Sequence, residues 1–149
     1  MQSRFFFIIM ALALGAILPV QAAINTRLAR TVSSPVVAAF VSFAVGTVAL
    51  LSYLLIAREI HVGQIPFRQS PWWLWIGGLL GAFFVAGIVV LLPRLGAALS
   101  FSLVLAGQMG IALLLDHFGW FGVAIKEISL GRIAGAILLI AGVYLIRKF

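Results

Sequence analysis

The stretch Trp72–Leu92, WWLWIGGLLGAFFVAGIVVLL, carries no charged residue and no amide over its whole length. A helix of about 20 such residues spans a hydrocarbon core of about 30 Å, so this run is long enough to cross a membrane. It is continuously apolar and lacks the two-residue alternation of a barrel strand, which leaves the α-helix as the form that satisfies its backbone in lipid. The three tryptophans at its start, Trp72, Trp73 and Trp75, have the placement of an interfacial aromatic anchor.

Working outward, four further runs share this character: 5–24, 35–57, 95–115 and 130–146. The chain thus reads as one transmembrane domain over residues 1–149, an all-α integral membrane protein of five transmembrane helices. The short stretches between the runs hold too little chain for a domain outside the membrane. Composition agrees, with 64% hydrophobic residues, 9% charged residues and a mean hydropathy of +1.26. A soluble domain is nearer half apolar and a quarter charged. Arg4, Phe5–Leu18 and Val20-Gln21-Ala22 have the form of a cleavable signal peptide. The apolar run continues to Ile24, however, and nothing downstream reads as a secreted domain, so the segment is read as a retained first span.

The net charge of +7 does not point to nucleic acid, because the basic residues are scattered near the ends of the apolar runs and form no stripe. At such positions they meet anionic lipid headgroups, or snorkel towards them. With five spans, Arg4, Arg58, Arg68, Lys126 and Arg132 fall on one side, and Arg27, Arg30, Arg94, Arg147 and Lys148 on the other. The two sides balance, so the positive-inside rule gives no preferred orientation. One reading is dual topology, with an antiparallel homodimer assembling an inverted-repeat transporter from two copies. The other is a single orientation set by something besides charge.

Polar residues inside the runs are candidate site positions, because an amide or hydroxyl in hydrocarbon needs a partner or a wet cavity. Gln21 and Asn25 lie one turn apart, with Pro19 as a helix-kink position beside them. Gln108, Ser42 and Ser100 complete the set of cavity candidates; each amide can equally serve as glue between helices. Asp116 and His117, at the end of the fourth run, read as an interfacial cap, an ion pair or a charge relay. Gly77 with Gly81, and Gly131 with Gly135, form G-x-x-x-G pairs suited to close helix packing. His61 is isolated, and Glu59 and Glu127 read as loop residues.

No acidic residue lies in the middle of a run. No Ser-His-Asp constellation, metal-ligand cluster or phosphate-binding glycine loop is present, so neither an enzyme, a cofactor nor a metal is expected.

The segment Gly15–Leu28, with its Pro19-x-Gln21-x-x-x-Asn25 pattern, resembles the signature of the small bacterial YdcZ-like membrane proteins of the drug/metabolite transporter superfamily. Ser34-Pro35, Ser42 and Gly46-Thr47 in the second run are similar to that family as well. So are Pro93-Arg94-Leu95-Gly96, Gly107-Gln108, Asp116-His117-Phe118-Gly119, and Arg132 with Gly135 and Gly142. The resemblance implies a protein of the bacterial cytoplasmic (inner) membrane, equivalent to half of a ten-span transporter. It implies export or exchange of a small molecule, with oppositely oriented halves as partners: a second copy or a related five-span chain. Only Pro19, Gln21, Asn25, Gln108 and Asp116 carry over, as cavity or core positions. The missing mid-span acid departs from the superfamily's small multidrug exporters and argues against proton-coupled cation export. Two rival readings remain: a non-transporting structural or partner-binding subunit, and an ion channel lined by Ser42, Thr47, Ser100 and Ser102.

Overall fold

The computed structural model describes residues 2–58 and 70–149, with side chains from Arg4 onward; Glu59, His61 and Arg68 lie outside the described residues. Five α-helices make up the described chain: α1 (Gln2–Thr31), α2 (Pro35–Ile56), α3 (Gly77–Leu95), α4 (Ala97–Phe118) and α5 (Leu130–Lys148). A 3-10 turn, Trp72–Ile76, leads into α3, and all five helical segments are long and apolar enough to cross a membrane. The chain divides into two units, Met1–Arg94 and Leu95–Phe149.

In the first unit, α1 runs unbroken through Pro19 and continues to Thr31, so most of the stretch after Ile24 is helix rather than connection. Its end is fixed by backbone geometry. Ser33 has a φ of 55°, and the Ser34 N–H donates to the Ala29 carbonyl at 3.1 Å, the six-to-one bond of a Schellman stop. Ser34 then acts again as N-cap of α2, its Oγ accepting from the Val37 N–H at 3.2 Å, with Pro35 in the first turn. Three residues, Val32 to Ser34, therefore connect two long helices.

The hairpin closes over small side chains. Ala29 of α1, Ala38 of α2 and Val89 of α3 form one buried cluster, with Leu28 packed at its edge. Ala22 and Ala39 are also buried. Lipid supplies little hydrophobic force between helices, so close backbone approach over alanine and glycine is what dispersion can use. Gly81 shows the same logic: a Cβ there would lie 3.3 Å from the Phe43 ring. A Cβ at Gly77, Gly131 or Gly135 would meet nothing among the described residues.

In the second unit, α4 ends at Gly119, whose φ of 64° is the left-handed conformation glycine adopts without steric cost. A Cβ at Gly119 would also stand 2.7 Å from Ile125 Cγ1. The chain then returns to α5 along a segment pinned to the end of α4. The Lys126 N–H donates to the Asp116 carbonyl at 2.7 Å, and Arg132 Nη1 donates to the Lys126 carbonyl at 2.7 Å. The other arm of Arg132 is ion-paired with the Asp116 carboxylate. His117 Nδ1 accepts from the Ile128 N–H at 3.4 Å, and Ser129 caps α5. Stacking of Phe118 on Trp120, with ring centroids 5.0 Å apart, completes the corner.

Most large apolar side chains point outward, including Phe5, Phe40, Leu79, Phe83 and Leu138. Such a surface is stable where the solvent is lipid. Trp72, Trp73 and Trp75 are exposed on the 3-10 turn before α3, at the start of that apolar surface.

Replacing Ala38, which is fully buried, with leucine overpacks the three-helix contact and lowers stability by about 1–3 kcal/mol. Thermal unfolding in detergent measures this, with Val45→Leu on the exposed face of α2 as the control. Equal unfolding temperatures for Ala38→Leu and the control exclude close packing at Ala38. The Asp116–Arg132 pair, with side chains 23% and 30% exposed, falls between a surface and a buried pair. A double-mutant cycle with Asp116→Asn and Arg132→Gln should give a coupling of about 1–2 kcal/mol. Strictly additive losses would mean that the pair contributes nothing.

Candidate functional site

Polar side chains on a lipid-exposed helix commonly bond back to their own backbone, and several do so here. Thr47 Oγ1 donates to the Phe43 carbonyl at 2.8 Å, Ser52 Oγ to the Val48 carbonyl at 2.8 Å, and Ser102 Oγ to the Ala98 carbonyl at 2.7 Å. Their hydroxyl protons are thereby occupied. Among the described residues, three buried groups find no such partner: the Asn25 amide nitrogen, the Thr26 hydroxyl and the Ser100 hydroxyl. An unpaired buried amide costs about 1–3 kcal/mol, so each of these positions needs a physical account.

Asn25 is 4% exposed and borders a groove of about 520 Å³ in the first unit. Gln21, one turn earlier on α1, and Ser42 of α2 share that groove, whose remaining walls are Ala16, Ile17, Val20 and Ile24. A smaller hollow of about 220 Å³ continues it along α2, again bordered by Gln21 and Ser42, with Phe43, Gly46, Thr47 and Leu50. The result is a mostly apolar trough bordered by two amides from α1 and a hydroxyl from α2. Pro19 lies two residues before Gln21; it has no N–H to offer the Gly15 carbonyl, which adds a free acceptor to this part of α1. Such a surface can hold a small apolar or weakly polar molecule and orient it by two or three hydrogen bonds.

Of the cavity candidates, Gln21, Asn25 and Ser42 thus converge within one unit. Gln108 and Ser100 belong to the second unit, on α4. Gln108 is exposed there, whereas Ser100 is 1% exposed with its hydroxyl unpaired. Asp116 and His117 lie at the far end of α4, where Asp116 pairs with Arg132 and His117 holds the returning segment. Thr26 was not among the candidates. Its place beside Asn25 in a run otherwise losing apolar character was the available signal. Among the described residues, no group of three His, Cys, Asp or Glu side chains is placed to hold a metal ion.

Known proteins resemble this chain over nearly its whole length. A profile of the family described as "Putative inner membrane exporter, YdcZ" matches residues 6–145. The chain is also 32% identical over 137 residues to "Inner membrane protein YdcZ" of Escherichia coli (strain K12), covering 92% of this chain and 91% of that protein. No solved structure matches it at a significant level. The five apolar helices, the Gln21–Asn25 segment within them and these matches agree, and the chain belongs to the YdcZ family of multi-pass inner-membrane proteins in the drug/metabolite transporter superfamily.

Proposed function

We propose that this chain is half of a small-molecule transporter, an exporter or exchanger, and that the α1–α2 groove is its share of the substrate cavity. The observation that carries the reading is Asn25: a buried amide with an unpaired nitrogen on a groove it shares with Gln21 and Ser42. A side chain kept for stability alone would have been paired or replaced by an apolar one, since an unpaired amide in lipid is a net cost. A ligand that presents an acceptor to Asn25 and an apolar body to Ile17, Val20 and Ile24 offsets that cost. The family description as an inner-membrane exporter supports the same direction of thought.

A groove open on one side is one wall of a cavity. In our reading a second protomer, inserted in the opposite sense, supplies the other wall, and substrate passes by alternating access between the two. The balance of five basic residues on each side supports such dual insertion. The open surface at Gly131 and Gly135 gives α5 room for close contact with another helix. An ion channel is less well supported, because Thr47 and Ser102, two of the hydroxyls it would need, bond to their own helices.

The chain has no cysteine, so single introduced thiols report without background. In sealed vesicles, Thr31→Cys and Phe149→Cys should each react to half-completion with a membrane-impermeant thiol reagent, and fully once the vesicles are opened. All-or-none labelling at both sites would sink the antiparallel homodimer and turn attention to an oppositely facing partner chain. Ser42→Cys should react from water much faster than Val48→Cys, which lies on the exposed apolar face of α2. Equal rates would mean that the groove faces lipid and does not hold substrate.

A further inference from the structure

Beyond the groove, the first unit carries a second polar feature at the last turns of α1 and α3. One hollow of about 290 Å³ is bordered by Thr26, Arg30, Pro93 and Arg94 against a wall that includes Val89. An adjoining hollow of about 540 Å³ is bordered by Arg27, Arg30 and Thr26, with Leu92 and Ala23. Thr26 and Arg30 belong to both. Three arginines therefore border two adjoining hollows that share one buried side chain, Thr26.

Among the described residues, no carboxylate is ion-paired with any of the three. The one ion pair among the described residues joins Asp116 to Arg132, and none of Arg27, Arg30 and Arg94 takes part in it. Arg30 and Arg94 lie in the last turns of their helices, where a cation complements the free carbonyls. That accounts for a positive charge at each helix end. It does not account for Thr26, which is 7% exposed with a hydroxyl that has no partner. Nor does it account for three such charges at one place. Pro35, in the first turn of α2, also borders the smaller hollow, so the positive end of that helix adds to the same field.

We propose that Thr26, Arg27, Arg30 and Arg94 form a binding site for a phosphate group, presented either by a phospholipid headgroup or by a free phosphate in solution. Guanidinium forks match phosphate oxygens in pairs, and three of them exceed what one carboxylate would neutralise. The Thr26 hydroxyl gains the acceptor it lacks. The apolar wall of Ala23, Val89 and Leu92 suits the ester-linked portion of a lipid next to its headgroup. The site is distinct from the Gln21–Asn25–Ser42 groove and does not depend on the transport reading.

The test uses the full chain, purified in a neutral detergent, with unfolding temperature followed during titration. The probes are phosphatidylglycerol, phosphatidylcholine and inorganic phosphate. Phosphatidylglycerol should raise the unfolding temperature in a saturable way, and phosphatidylcholine much less. Arg30→Lys keeps the charge at the helix end but loses the fork, and should shift the titration midpoint by about tenfold. Thr26→Val should raise the unfolding temperature of the ligand-free protein, because it removes an unpaired hydroxyl, while weakening the response to ligand. Arg147→Lys, near the end of α5, should leave the response unchanged. If inorganic phosphate gives the same saturable shift with the same dependence on Arg30 and Thr26, the source is a free phosphate. A response that is absent for both phosphate sources, or undiminished in Arg30→Lys and Thr26→Val, overturns the site and leaves the arginines as helix-end charges.

Discussion

In a hydrocarbon solvent no water is present to accept or donate a hydrogen bond, and every feature of this chain follows from that constraint. Backbone groups are satisfied within each helix, which is why five continuous helical runs account for most of the described residues. At the ends, where the last carbonyls and first amides have no helical partner, the chain closes the gap locally. Ser34 serves both α1 and α2, and Asp116, Lys126 and Arg132 tie the end of α4 to the start of α5. Water-driven burial has little part in this arrangement. Its interior is small, made mainly of alanine and valine with Ile88, and most of its large side chains face out.

The same constraint sorts the polar side chains into two groups. Thr31, Thr47, Ser52 and Ser102 bond back to carbonyls four residues earlier and are indifferent to what lies around them. Asn25, Thr26 and Ser100 are buried without such a bond. Asn25 and Thr26 are consecutive on α1 and so point in different directions, about 100° apart around the axis. One opens on the Gln21–Ser42 groove and the other on the arginine-lined hollows. Within a single turn, α1 therefore presents one side chain to an apolar recess and the next to a cationic one.

Much of this was legible before any coordinates. Length and continuity of the apolar runs gave all-helical spans, because in lipid few other forms are possible. The convergence of Gln21 and Asn25 followed from helical spacing, and the family from the residues around them. The course of α1 past Ile24 was not legible from polarity alone. Asn25, Thr26, Arg27 and Arg30 read as a loop by hydropathy, yet Leu28 and Ala29 keep the stretch helical and the stop depends on Ser33 taking a left-handed conformation. The company kept by Ser42 was equally hidden, since a hydroxyl in an apolar run can turn inward to its own helix or outward to a neighbour. Which one occurs is decided by packing, not by local sequence.

The connection between α1 and α2 has a further consequence, for which way the recess faces. Only Val32, Ser33 and Ser34 lie between the two helices, and the backbone amide and side chain of Ser34 close one helix while opening the next. The turn that stops α1 and the turn that starts α2 are thus one short piece of backbone. A connection of three residues holds α1 and α2 as a hairpin, with the end of one and the start of the other at the same membrane face. Whichever way that hairpin faces, the recess bordered by Gln21, Asn25 and Ser42 turns with it, because α1 and α2 alone supply its lining.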